Sequence, residues 1–294
     1  MVAGQSKDPG GRDAASRDAG SRDLEKDPVN NQSVEKAAVI LKAFLGGQPA
    51  LRVSDVARHA GLGQSTASRL LATLESVDFV ERDHVTGLYR LGPALMTLAG
   101  VAVNHHPVHR EARQRAQNLA ADLGLGANVA VRTGASLFYL CNFEGRLAPR
   151  SFVLMGQRNP LHATGLGKCL LVGTTPEVRR SLLGELVSYT PATITDHIAL
   201  DAAIDLVGQR SYAVEVEELA LGRACMASPI LDQTGTVCAA LSVSGPLSAL
   251  ALDTREQEIA GMVIEAADAI SIGLGYLGPV HAPVAAAAQR RAGR

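Results

Sequence analysis

The chain has no tryptophan, only 3% aromatic residues and four cysteines among 294 residues, and its charges nearly cancel, at −1. No two cysteines form a Cys-x-x-Cys pair, so the sequence favours reduced thiols over a zinc ribbon or a thioredoxin-type site. No apolar run reaches the roughly 18 residues of a membrane span, and the amino terminus lacks a signal-peptide core. These absences predict a cytoplasmic protein without a membrane segment, and the charge excludes a generally polybasic one.

Both ends of the chain have compositions that do not support a folded core. Residues 1–29 repeat Arg-Asp pairs among Gly, Ala and Ser, and residues 279–294 contain an alanine run followed by arginines. Segments with so little apolar surface do not offset the entropy cost of ordering, so we predict two disordered tails. The total length suggests about two domains between them.

Residues 53–72 have the pattern of a helix-turn-helix. A first short helix is followed by Gly61, which tolerates the positive φ of a tight turn. A second helix has one apolar stripe at helical spacing, made of Ala67, Leu70, Leu71, Leu74 and Val77. Its other face begins with short hydrogen-bonding residues and an arginine, namely Gln64, Ser65, Thr66, Ser68 and Arg69. A recognition helix presents such residues to the major groove, so we predict that these five contact DNA.

A β-hairpin follows the second helix, with Gly87 in its turn. A hairpin in this position is typical of a wing, from which Arg82, His84 and Arg90 are predicted to reach phosphate or the minor groove. Together with a bracing helix from Ser33, this gives a winged helix-turn-helix domain over residues 30–91. Seven Lys and Arg against six Asp and Glu between Ser33 and Leu91 give only about +1, so a tri-helical assembly module remains an alternative.

Residues 92–106 are predicted to be a linker helix. The segment from Ala94 to Val103 is apolar without a clear polar face, which indicates burial on more than one side. Two explanations stay open, namely dimerisation and packing against the chain's own winged helix. The histidines on either side of Pro107 do not share a helix that would align them, so no metal site and no cofactor are predicted.

The remaining segment, 107–278, shows predicted hairpins at both ends with helices between them. This pattern indicates an antiparallel sheet flanked by helices, an α+β domain. Gly165-Leu-Gly167-Lys168 lacks the other positions of a phosphate loop, but two glycines at a helix start favour an anion such as a carboxylate. Ser242 and Ser244 alternate along a strand, so both hydroxyls lie on one face and could bind a polar ligand.

A nucleophilic site is the alternative use of this domain. Cys225, His162 and Glu215 are of the right types for a nucleophile, a base and an orienting acid. Nothing in their spacing brings them together, and a buried structural cysteine is the more common case. The acidic run at Glu215, Glu217 and Glu218 is typical of a solvated turn.

Taken together, the motifs resemble those of the IclR family of bacterial transcriptional regulators over about Ser33 to Gly278. The stretches that carry the resemblance are Ser-Val-Glu-Lys-Ala at 33–37, Ser-Thr-Ala-Ser-Arg-Leu-Leu-Ala-Thr-Leu-Glu at 65–75, Tyr-Arg-Leu-Gly at 89–92, Leu-His-Ala-Thr-Gly-Leu-Gly-Lys at 161–168, Tyr-Ala-Val-Glu-Val-Glu-Glu at 212–218, Cys-Met-Ala-Ser-Pro-Ile at 225–230 and Leu-Ser-Val-Ser-Gly-Pro at 241–246. Jointly these motifs are highly specific.

The resemblance implies a winged helix-turn-helix, a linker helix and a GAF-like effector-binding domain. It implies a homodimer, or a homotetramer, that binds a double-stranded DNA operator as a repressor, an activator or both, and that responds to a small metabolite, often a carboxylate. By motif position the effector pocket comprises Gly165, Leu166, Glu215, Cys225, Ser242 and Ser244. Cys225 then becomes a pocket wall rather than a nucleophile, and no enzymatic activity is expected.

This chain departs from the family pattern at two positions. Glu215 stands where Asp is more common, and Gln64 stands where Lys or Arg is common. We therefore expect a smaller or differently charged pocket, and one phosphate contact fewer from the recognition helix.

Overall fold

The structure, a computed structural model, describes residues 31–147 and 154–279. The predicted tails at 1–29 and beyond residue 279 lie outside the described residues. Contacts divide the chain into two units, Met1–Met96 and Thr97–Arg294, and each unit has hydrophobic core residues of its own.

The first unit is a three-helix bundle with a hairpin. Its elements are α1 (Gln32–Lys42), a 3-10 helix (Ala43–Gly46), α2 (Val53–Ala60), α3 (Gln64–Ser76), β1 (Val80–Arg82) and β2 (Tyr89–Leu91). Gly61 ends α2 at φ +63°, as the turn required. The predicted stripe of α3 is buried at Ala67, Leu71 and Leu74, but Val77 is 51% exposed because the helix ends at Ser76.

A third segment completes the hairpin. Leu51 forms an antiparallel bridge with Tyr89, in which each backbone N–H donates to the other residue's carbonyl oxygen at an N to O distance of 2.8 Å. Both side chains are almost fully buried in the core of the helices, so the hairpin is fixed to the bundle. The chain then leaves β2 through Gly92, where an added Cβ would lie 2.2 Å from the carbonyl oxygen of Asp78.

The predicted linker helix is present as α4 (Pro93–His105), and α5 (Pro107–Leu123) follows with His106 as its N-cap. The apolar residues of α4 are not buried within one chain, since Met96 is 78% exposed and Leu98 and Val101 are each 53% exposed. The predicted burial on several sides is therefore wrong for a single copy of the chain.

The second unit is built on a six-stranded antiparallel sheet in the order β5-β4-β3-β8-β7-β6. Its strands are β3 (Gly126–Thr133), β4 (Ser136–Phe143), β5 (Arg158–Pro160), β6 (Ala213–Val216), β7 (Arg223–Leu231) and β8 (Val237–Pro246). Its remaining helices are α6 (Gly165–Leu170), α7 (Pro176–Leu183), α8 (His197–Arg210), α9 (Leu247–Leu250) and α10 (Leu252–Gly273).

Helices cover both faces of this sheet. One apolar core joins a sheet face to α5 and α10, and a second core joins the opposite face to α6 and α8. Along β8, Leu241 and Val243 belong to the first core, while Ser242 and Ser244 point to the other face, as the alternation predicted. The predicted α+β class is confirmed.

Candidate functional site

The predicted recognition helix presents a polar, accessible surface. On α3, Gln64, Ser65, Ser68 and Arg69 are exposed and Thr66 is half-buried, whereas Ala67 between them is fully buried. Because α3 starts at Gln64, all five predicted residues fall in its first two turns. The helix therefore offers hydrogen-bonding groups and one positive charge at its N-terminal end, which suits contact with base edges and phosphates.

The wing is held in shape by Asp83. Its carboxylate accepts hydrogen bonds from the Val85 and Thr86 backbone N–H groups, at 2.8 and 3.3 Å, and from the Thr86 hydroxyl at 2.7 Å. These bonds, the hydroxyl first, lower the pKa of Asp83.

The three basic residues predicted for the wing are all exposed, but they are not equivalent. Arg82 lies over the Tyr89 ring, 5.6 Å from its centre, and His84 is at the turn. Arg90 faces Glu81 across the hairpin and forms an ion pair with it at 2.7 Å. Part of the wing's positive charge is therefore already neutralised.

A cavity of about 240 Å³ opens on the α6 side of the large sheet. Its lining consists of Asn128, Tyr139, Leu154, Asn159, Thr164, Leu166, Glu215, Leu219, Ala220, Arg223, Ala224, Cys225, Ser242 and Ser244. Five of the six predicted pocket residues are thus brought together from α6 and three neighbouring strands. The sixth, Gly165, lies behind Cys225, where an added Cβ would be 2.9 Å from the thiol sulfur.

The glycines at the start of α6 allow close packing. The Gly167 N–H donates to the Thr164 hydroxyl at 3.1 Å. An added Cβ on Gly167 would lie only 2.0 Å from the carbonyl oxygen of Leu161. One of the donors expected to face an anion, the Gly167 N–H, therefore already has a protein partner.

Two residues of the acidic run, Glu215 and Glu218, are buried and Glu217 is half-buried, so the interpretation of the run as a solvated turn is wrong. Glu215 is 6% exposed and its Oε1 accepts hydrogen bonds from the backbone N–H groups of Glu218 at 2.6 Å and Leu219 at 3.3 Å. Glu218 is also buried and forms an ion pair with buried Lys168. Burial raises the pKa of Glu215 to about 6 despite its backbone hydrogen bonds.

The structure does not assemble a nucleophilic triad. Burial raises the pKa of the Cys225 thiol to about 12, so it stays protonated and is a poor nucleophile at neutral pH. The His162 ring engages the Val187 carbonyl oxygen at 2.9 Å through Nε2, and His162 does not line the cavity. Cys225 therefore acts as a pocket wall.

Sequence patterns missed the polar residues at the β3 and β4 end of the cavity. The Asn142 amide donates to Asn128 Oδ1 at 2.6 Å, and the Asn128 amide in turn donates to the Ser244 hydroxyl at 3.3 Å. The Asn159 amide donates to the Tyr139 hydroxyl at 3.0 Å. A polar Asn128 in the middle of an apolar strand was the one local signal that this face is not simply core.

Metal-binding clusters and membrane-spanning helices were looked for among the described residues. No group of three or more His, Cys, Asp or Glu side chains within residues 31–147 and 154–279 is placed to hold a metal ion. Across the same residues, the helices are all too short or too polar to cross a membrane.

Known proteins match the chain in both units. Residues 33–84 match the family described as the IclR helix-turn-helix domain, and residues 100–272 match the bacterial transcriptional regulator IclR C-terminal family.

Curated relatives span nearly the same length. The chain is 30% identical over 247 residues to the HTH-type transcriptional regulator XynR of Escherichia coli K12, covering 83% of this chain and 98% of XynR. It is 32% identical over 254 residues to the HTH-type transcriptional repressor AllR of Salmonella typhimurium, covering 85% of this chain and 92% of AllR.

Solved structures share the fold over the same extent. An IclR regulator from Alicyclobacillus acidocaldarius aligns with a TM-score of 0.74 at 28% identity, over 84% of this chain and all of that one. An IclR homologue from Microbacterium hydrocarbonoxydans, solved with 4-hydroxybenzoate, aligns with a TM-score of 0.72 at 25% identity, over 82% and 98% of the two chains. This family consists of transcriptional regulators, not enzymes. The chain therefore belongs to the IclR family, as a DNA-binding transcriptional regulator with an effector-binding C-terminal domain.

Proposed function

We propose that this regulator acts as a homodimer, or a dimer of dimers, on a near-palindromic operator close to its own promoter or a neighbouring operon. In this proposal α3 contacts base edges through Gln64, Ser65, Thr66, Ser68 and Arg69, and the wing contacts the backbone through Arg82, His84 and Arg90. The observation that carries it is the accessible polar N-terminal face of α3. Because a transcriptional regulator must reach the chromosome, we infer a cytoplasmic location, and we infer repression or dual control as its mode.

Dimerisation is proposed through α4. Its apolar side chains are exposed in one chain, with Met96 78% exposed, and a second copy would cover them. Two copies reading two half-sites also compensate for the weak net charge of the DNA-binding unit, because each copy adds its own phosphate contacts. Sedimentation of the wild type and of Met96→Glu tests this step, and an unchanged sedimentation coefficient would contradict it.

We further propose that the cavity binds a small carboxylate and that its occupancy alters operator binding. A cavity of about 240 Å³ is smaller than the ~300–1,000 Å³ of drug-sized pockets, which favours a small metabolite. The 4-hydroxybenzoate bound to the Microbacterium relative is an example of a carboxylate in this family.

DNA binding is tested by fluorescence anisotropy with DNA from upstream of the gene, over a range of salt concentrations. If Arg69 contacts a base, we expect Arg69→Ala to weaken binding by roughly 5- to 150-fold, which corresponds to about 1–3 kcal/mol. If Arg69 contacts a phosphate instead, we expect the salt slope to fall by about 1. Arg132→Ala, an exposed arginine on β3, is the matched control and should bind like the wild type. Equal binding by Arg69→Ala and wild type would contradict the assignment of α3.

A further inference from the structure

The tip of the wing carries an apolar side chain at a position where turns ordinarily carry a polar one. Val85 is in the middle of the turn formed by residues 83–87 and is 95% exposed, more than any other large apolar residue in the described part of the chain. Turns favour Gly, Asn, Asp and Ser, and an apolar side chain surrounded by solvent adds nothing to the stability of the fold. A residue that breaks a local rule without a gain in folding points to a contact with another molecule.

The turn is rigid, so Val85 is held in one place. The Asp83 carboxylate accepts hydrogen bonds from the backbone N–H groups of Val85 and Thr86 and from the Thr86 hydroxyl. Across the turn, the Gly87 N–H donates to the Asp83 carbonyl oxygen at 2.7 Å, and the Asp83 N–H donates to the Leu88 carbonyl oxygen at 2.8 Å. A side chain on a segment that is already ordered gives up little conformational entropy when it binds.

The charges around Val85 indicate which molecule it contacts. His84 precedes it, and the exposed Arg82 lies over the Tyr89 ring at the base of the wing. The one carboxylate of the turn, that of Asp83, is already engaged by hydrogen bonds within the turn. Basic residues around an apolar tip suit DNA, since phosphates attract the former and the minor groove accepts apolar side chains.

The floor of the minor groove gives a reason for a valine at this position. Both kinds of base pair present hydrogen-bond acceptors there, and only G·C adds the N2 amino group of guanine, which is a donor. The methyl groups of Val85 cannot accept a hydrogen bond from this amino group, and they displace the water that would accept it. The extra cost falls on G·C pairs. A·T-rich steps also have a narrower groove with a stronger negative potential, which attracts Arg82.

We infer that Val85 is a specificity-determining residue, which contacts the floor of the minor groove next to each half-site read by α3 and selects A·T over G·C pairs there. Asp83 is the positioning residue that holds Val85 at the tip. The inference rests on the proposed contact of the wing with DNA and goes beyond it, because it assigns sequence selection to an apolar residue rather than to the wing's basic side chains.

The experiment begins with the full-length wild type and a pool of random-sequence duplexes, from which high-affinity sites are selected. One selected site is then synthesised with each base pair that flanks the half-sites as A·T, as G·C or as inosine·C, which lacks the N2 amino group but keeps the major-groove edge of G·C. We expect A·T and inosine·C to bind at least about fivefold more tightly than G·C at one flanking position or more, as measured by anisotropy. Equal affinities at all flanking positions, or inosine·C binding like G·C, would overturn the inference.

Four variants assign the selection to the wing tip. Val85→Ser supplies a hydroxyl that can accept from the amino group, so the preference should fall below about twofold. Val178→Ser, which changes an exposed valine on α7 in the other unit, is the matched control and should keep the preference. Asp83→Ala should weaken the preference, and Asp83→Asn should restore most of it because the amide oxygen still accepts hydrogen bonds. An unchanged preference in Val85→Ser would overturn the role of Val85.

Arg69→Ala distinguishes failure of this inference from failure of the proposed contacts of α3. Weakened binding by Arg69→Ala, with no flanking preference in the wild type, would support α3 and overturn the role of Val85. A flanking preference that depends on Val85, in a protein whose Arg69→Ala variant binds normally, would support the role of Val85 and contradict the assignment of α3. If no duplex is enriched from the pool, both are overturned.

Discussion

Lys168 and Glu218 form an ion pair whose side chains are 3% and 10% exposed. Lys168 comes from the start of α6 and Glu218 from the turn after β6, so the pair fixes that turn, and through it Glu215, beside the cavity. Removing one member of a buried pair leaves an uncompensated charge in a poorly solvated place.

We therefore expect Lys168→Met to lower the free energy of unfolding by about 3–5 kcal/mol at neutral pH, as measured by urea denaturation. The double variant with Glu218→Gln should recover part of this loss, because no unpaired carboxylate remains at position 218. Arg58→Ala is the control: its ion pair with Asp55 is on the surface, with Arg58 70% exposed, and it should cost about 1 kcal/mol or less. A loss for Lys168→Met no larger than this would contradict the buried pair.

Glu215 should make folding stability depend on pH. Its pKa is about 6 in the folded chain against an ordinary value of 4.5, so the folded state holds this proton more tightly. The resulting contribution, about 2 kcal/mol, is fully present below pH 4.5 and is lost as the pH rises through 6.

Because glutamine mimics the protonated acid, Glu215→Gln should gain about 2 kcal/mol relative to the wild type between about pH 4.5 and pH 7. Urea denaturation across this range measures the difference. A gap between the two proteins that does not change with pH would show that Glu215 titrates normally.

Gly167 and Gly208 offer a matched pair of glycine-to-alanine substitutions. At Gly167 the new Cβ would lie 2.0 Å from the Leu161 backbone, so α6 must move, and we expect a loss of about 3 kcal/mol or more. At Gly208, inside α8, an added Cβ meets nothing within 4 Å, and alanine should stabilise the chain by about 0.5–1 kcal/mol. Thermal denaturation of the two variants tests both, and similar melting temperatures would refute the contrast.

Glu81 should limit the affinity of the wing for DNA, because it neutralises Arg90 across the hairpin. We expect Glu81→Gln to strengthen binding to random-sequence DNA several-fold at low salt and to steepen the salt dependence by about one counterion. Anisotropy titrations at several salt concentrations measure both quantities. Glu185→Gln, in the other unit, is the control, and an equal effect of the two changes would indicate net charge alone.

The helix-turn-helix could be predicted from the sequence because its determinants are local. Gly61 permits the turn, and the spacing of Ala67, Leu71 and Leu74 fixes which face of α3 is buried. The face that remains, from Gln64 to Arg69, is then determined without knowledge of any other part of the chain. Within this motif, the local pattern was wrong at the end of α3: it placed Val77 on the buried stripe, but the helix ends at Ser76.

The effector cavity was only partly predictable. Alternation placed Ser242 and Ser244 on one face of β8, and motif resemblance added Glu215 and Cys225. Arg223 and Tyr139, by contrast, are far apart in the chain, and they line one cavity only because β4 and β7 lie in one sheet with β3 and β8 between them.

By itself, the sequence determined the periodic elements, the exposed face of α3 and the family. Only the tertiary structure decided the burial and pairing of charges. Burial depends on which elements cover a residue. In the sequence, the acidic residues Glu215 and Glu218 have the pattern of a solvated turn, but in the fold Lys168 of α6 packs against them and they are buried. Charge pairing depends on strand register and strand order: Arg90 is opposite Glu81 in the hairpin, whereas Arg223 on β7 lines the cavity.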